Sequence, residues 1–67
     1  MKKLRRKRNM TQKQLARLLG VSQVYISRIE NGHIEGLTIG KLIRLAKILR
    51  VTPSNLLEVL LKIRKRR

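Results

Sequence analysis

This sequence predicts an all-α protein, a compact bundle of five short helices. Three observations predict it. Apolar residues recur three and four positions apart, as one face of a helix requires, most plainly in Leu42, Leu45, Ala46 and Leu49. Tyr25 is the only aromatic residue, so the core has to be built from Leu, Ile, Val, Ala and Met, a composition that suits packed helices. Thr11, Ser22, Thr38 and Thr52 each stand just ahead of an apolar-periodic segment, where a side-chain oxygen can accept an unpaired amide at a helix start.

The elements follow in order. Leu4 lies one helical turn after Met1, and Lys2, Lys3, Arg5, Arg6, Lys7 and Arg8 surround them, which reads as a short basic first helix ended by Asn9. Thr11 and Gln14 have the spacing of a capping box and open helix two, whose Leu15, Ala16, Leu18 and Leu19 share a face. Gly20 can take the left-handed conformation that closes it. Ser22 caps helix three, in which Ile26 and Ile29 point one way and Gln23, Val24, Ser27 and Arg28 the others. Asn31-Gly32 is a turn signal, and His33 to Leu37 form a loop.

Thr38 caps helix four, with a broad stripe of Ile39, Leu42, Ile43, Leu45, Ala46, Ile48 and Leu49 that makes it the central core helix. Thr52-Pro53 opens helix five, because proline at the first helical position loses no bond. Leu56, Leu57, Val59, Leu60, Leu61 and Ile63 exceed what one stripe against a small domain needs, which predicts a homodimer interface made by Leu57, Val59, Leu60, Leu61 and Ile63. The last few basic residues are expected to fray. The tail Lys62 to Arg67 reads equally as an electrostatic arm and as a solubilising end.

Residues 1–67 have room for one domain with a single small core. Eighteen Lys and Arg against three acids leave a formal charge of +15, a field that attracts polyanions, nucleic acid first among them. The absence of cysteine removes disulfides and thiolate metal sites and fits a reduced, cytoplasmic protein. The charged start MKKLRRKR is followed by NMTQKQ rather than the apolar stretch of about 7 to 15 residues a secretory leader needs, so none is expected. Apolar runs fall far short of the roughly 20 residues that span a bilayer. One histidine, His33, and three scattered glutamates assemble no nucleophile with its base and no metal cluster, so no catalysis, cofactor or metal is expected.

Two short helices can cross closely if their contact points are small and the turn between them allows a positive backbone dihedral, needs that Ala16 and Gly20 meet. The stretch TQKQLARLLGVSQVYISRIENG, from Thr11 to Gly32, resembles the helix-turn-helix of phage repressors and Cro proteins, the Cro/C1-type or XRE-like regulators. The resemblance rests on Thr11-Gln12, Leu15-Ala16, Gly20-Val21-Ser22, Ile26, Ile29 and Glu30-Asn31-Gly32 in order and spacing. It implies a lambda-repressor-like domain over nearly the whole chain, with the helix-turn-helix over about 11–31 and helix five with its basic tail over about 53–67.

It also implies roles. Gln23, Val24, Ser27 and Arg28 fall where such proteins read bases: glutamine pairs with an adenine edge, valine packs on a thymine methyl, and the arginine fork matches guanine. Thr11, Gln12, Ser22, Tyr25 and Asn31 fall at phosphate-contacting positions. Glu30 corresponds to a structural acid that pairs with an arginine on helix one, here Arg5. Leu15, Ala16, Leu18, Val21, Ile26, Ile29, Leu42, Leu45 and Leu49 are core. The loop HIEGL departs from the family's frequent basic pattern by carrying an acid, so no contact is assigned there.

The expected function is a sequence-specific regulator of double-stranded DNA, a repressor by family preference, binding as a homodimer to a near-palindrome. Relatives that act as antitoxins or bridging factors keep a protein-interaction module as an alternative. Non-specific nucleic-acid binding is the other, weakened by the lack of stacking aromatics. A membrane-active peptide is disfavoured by the absence of Trp and Phe.

Overall fold

The computed structural model describes residues 1–65 and contains five helices: α1 (Lys2–Lys7), α2 (Gln12–Leu19), α3 (Gln23–Glu30), α4 (Ile39–Leu49) and α5 (Pro53–Lys65). Four begin at a hydroxyl cap. Thr11 Oγ1 accepts from the Gln14 amide at 3.1 Å while Gln14 Oε1 accepts from the Thr11 amide at 2.8 Å, completing a capping box. Ser22, Thr38 and Thr52 accept from the amides of Tyr25, Lys41 and Asn55 at 3.1, 3.2 and 3.1 Å.

Four ends share one device. The backbone turns left-handed at Asn9, Gly20, Gly32 and Arg50, and the next amide reaches back five residues to a carbonyl, as in Val21 to Ala16 and His33 to Arg28, each at 2.9 Å. These bonds satisfy carbonyls that the last helical turn would otherwise leave open. Each helix therefore stops sharply and the next can turn across it.

α2 packs on α3 and α4, and α5 packs on α4 and α3. The core lies between them, formed by Met1, Leu15, Ala16, Leu19, Ile26, Ile29, Leu42, Leu45, Ala46, Leu49, Leu56 and Leu60, with Leu4, Met10, Val21, Tyr25, Ile34, Leu37, Ile48 and Val51 at its margin. α4 contributes four of the twelve buried residues, consistent with its central place.

Two expectations are corrected by burial. Leu18 is 56% exposed, because Leu15, Ala16 and Leu19 define the inward arc of α2 and Leu18 lies roughly 100° from its centre at about 100° of rotation per residue. Leu60 is fully buried in the chain's own core beside Leu56, so it is not available to a second copy. The same rotation divides the remaining apolar residues of α5. Val59 and Ile63 are half-buried and border a groove with Met1 and Leu4, whereas Leu57 and Leu61 remain 39% and 43% exposed. Ile39 and Ile43 on the stripe of α4 are also exposed. α5 runs in helical form as far as Lys65, and the expected fraying beyond it falls on residues 66 and 67, outside the described residues.

Candidate nucleic-acid interface

α2, the turn at Gly20 and α3 form a closed unit. The Gly20 φ of +79° reverses the chain, Ser22 restarts it as α3, and Ile26 and Ile29 bury completely against the core. Residues three apart on a helix share a face, so burying these two leaves the other sides of α3 outward. Gln23, Val24 and Arg28 are exposed and Ser27 is half-buried. Val24 is 61% exposed, an apolar surface with no partner in its own core.

The far end of α3 is fixed by a buried charge. Glu30 Oε2 accepts from Arg5 Nε at 2.7 Å, and its other oxygen accepts from Gln12 Nε2, also at 2.7 Å. Arg5 Nη1 donates in addition to the Met10 carbonyl at 2.8 Å. The Glu30 side chain is fully enclosed and that of Arg5 10% exposed. A charge buried to this degree is tolerable only because each of its oxygens meets a donor. The network ties α1 and the first turn of α2 to the last turn of α3.

The remaining site residues surround that helix. Thr11 and Ser22 stand at the starts of α2 and α3, their oxygens accepting cap bonds while their hydroxyl protons can still be donated. Asn31 closes α3, its side-chain amide donating to the Ser27 carbonyl at 2.9 Å. Tyr25 is half-buried; its hydroxyl faces the Gly36 carbonyl at 3.4 Å and its ring lies 5.9 Å from Lys41 Nζ. Burial pushes its phenol above the ordinary value, so it is a hydrogen-bond donor at neutral pH.

Of the contacts not foreseen from the sequence, three join distant residues. Gln12 shares in the Glu30 network, Arg8 Nε donates to the Leu49 carbonyl at 3.3 Å and so caps the end of α4, and Arg64 reaches Glu35 in the loop after α3 at 3.1 Å. All three join residues at least 18 positions apart, beyond the reach of helical spacing. The lone acid in HIEGL was the one signal that pointed toward the last of them.

An exposed helix presenting amide, guanidinium and methyl groups, held rigidly from behind, is the surface on which base edges can be read. Residues 1–56 match the family model described as helix-turn-helix. The chain belongs to this Cro/C1-type family. No match was found among curated proteins or among solved structures. Membership makes this a DNA-binding helix-turn-helix domain and gives α3 the place of the helix-turn-helix family's second helix. Among the described residues, no helix is long and apolar enough to cross a membrane and no three His, Cys, Asp or Glu cluster as metal ligands.

Proposed function

We propose that the chain is a sequence-specific regulator of double-stranded DNA, acting as a repressor in the cytoplasm with residues 1–67 as one unit. The observation that carries this reading is the division of α3 into two faces. Ile26, Ile29 and Glu30 are buried, while Gln23, Val24 and Arg28 are exposed together on a helix whose two ends are both fixed.

In the major groove Gln23 pairs with an adenine edge, Val24 packs on a thymine methyl and Arg28 takes the two acceptors of guanine, with Ser27 as a weaker reader. Thr11 and Ser22 meet phosphates at helix starts, where free amides and the helix dipole favour an anion. Gln12 uses its second amide proton, the first being committed to Glu30. Tyr25 and Asn31 complete the backbone contacts. The net charge of +15 raises affinity for any duplex without choosing a sequence. Leu57 and Leu61 supply an exposed apolar pair through which two copies meet, setting two α3 helices about one turn of DNA apart.

The test is selection from a random duplex library at about 150 mM salt, where charge-driven binding is weakened. The native chain is expected to enrich a motif with related half-sites, and Arg28→Ala to lose discrimination of about 1–3 kcal/mol at one base position. No enrichment, with binding only at low salt and indifferent to Arg28, would instead establish a charge-driven module on the same fold.

A further inference from the structure

The end of α5 lies against the end of α3. Gly32, the residue after the α3 cap, has a φ of +90°, and a Cβ built on it would stand 3.3 Å from Arg64 Cα and N and 3.4 Å from Ile63 Cγ2. The backbone of α5 thus passes over the turn that follows the recognition helix. From that position Arg64 Nη2 reaches Glu35 Oε1 at 3.1 Å. Glu35 in turn shares a cleft of about 540 Å³ with Tyr25, Arg28, His33 and Gly36.

The cleft therefore adjoins Arg28, the proposed base-reading arginine, and its wall sets the acid of Glu35 alongside a guanidinium, a phenol and an imidazole. An acid here is unfavourable for a surface that approaches DNA, since it repels the backbone. The pair is exposed, with side chains 53% and 64% accessible, and exposed ion pairs are weak enough to exchange partners.

Resting on the DNA-binding reading above, we infer that Arg64 is a phosphate-binding residue delivered from α5, held by Glu35 in the free protein and transferred to a backbone phosphate when α3 enters the groove. Glu35 is then an internal competitor of DNA. It keeps the arginine aligned and lowers affinity for every duplex alike, while the sequence is chosen elsewhere on α3. A phosphate contact fixes position and carries no sequence information, which suits a residue at the edge of the footprint.

The experiment titrates a fluorescein-labelled duplex of mixed sequence with the full chain, as native protein, Arg64→Ala, Glu35→Gln and the double variant, from about 50 to 200 mM salt. Thermal melting checks that all four fold alike. Loss of one phosphate contact makes the slope of log affinity against log salt shallower by about 0.9 in Arg64→Ala. Glu35→Gln is expected to tighten binding, and to do so more with Arg64 present than in the double variant, because only then is a competitor removed. An unchanged slope in Arg64→Ala, or an equal gain from Glu35→Gln in both backgrounds, overturns the inference and leaves the pair a structural tie. A mixed-sequence duplex keeps the two readings separable: failure to select a motif would not affect the salt slope, whereas failure of the native chain to bind any duplex would overturn both.

Discussion

Glu30 shows how one side chain can decide the geometry of a recognition surface. Its two oxygens take bonds from Arg5 and Gln12, so the buried carboxylate draws one donor from α1 and one from α2 to the end of α3. Replacing it with glutamine keeps one acceptor and turns an amide group toward a donor, leaving the Arg5 charge without its counter-charge. Breaking one side of a buried pair costs about 3–5 kcal/mol. In a domain this small each kcal/mol moves the melting temperature by about 4–8 °C, so Glu30→Gln should lower it by well over 10 °C in a calorimetric scan. An unchanged melting temperature would show the network to be energetically idle. The exposed side of α3 behaves in the opposite way: Arg28, the proposed guanine contact, lies on the surface, and Arg28→Ala should alter base choice while leaving stability within about 0.5 kcal/mol.

At the scale of the element, the helix ends carry more of the design than the helix interiors. α1, α2 and α3 are six, eight and eight residues long, too short to persist without tertiary packing. Hydroxyl caps and left-handed ends were legible because Thr, Ser, Asn and Gly have chemical reasons to occupy them. Arg50, which ends α4 at a φ of +58°, carries no such signal. Its strain is offset by the bond from Val51 to the Ala46 carbonyl at 3.0 Å and by the packing of Val51 on the core. The two glycine ends also differ in what surrounds them. A Cβ at Gly20 meets nothing within 4 Å, but one at Gly32 meets the α5 backbone. Gly20→Ala should therefore cost only the left-handed strain, about 1–2 kcal/mol, and Gly32→Ala should cost more because α5 must move as well. Chemical denaturation of the two variants checks the order, and equal losses would mean that the close approach at Gly32 is readily relieved.

For the whole molecule, charge and apolar surface act against each other. The proposed meeting of two copies at Leu57 and Leu61 would bring together two charges of +15, so any self-association is expected where salt screens them, over a Debye length of about 8 Å at physiological ionic strength. Sedimentation at tens of micromolar is expected to find a dimer there and a smaller species at low salt. Leu61→Glu should give a monomer that keeps its helical circular-dichroism spectrum, since the side chain is 43% exposed and its loss leaves no cavity. A native chain that stays monomeric at every salt would remove this interface.

The local chemistry is legible in the residues: five helices, their caps, the inward positions of Leu15, Ala16, Ile26, Ile29 and Leu45, and the outward Gln23, Val24 and Arg28 of α3. All of these follow from spacing and from side-chain types that act within a few residues of themselves. Tertiary structure alone decided which of several apolar residues face inward when the pattern supplies more than one arc. It placed Leu18 outside and Leu60 inside, because the direction of the neighbouring helices, absent from any periodicity, sets the inward side. It likewise joined Gln12 to Glu30, Arg8 to Leu49 and Arg64 to Glu35. A long polar side chain has several partners within reach at the level of sequence, and the packed positions of α1, α2 and α5 select among them.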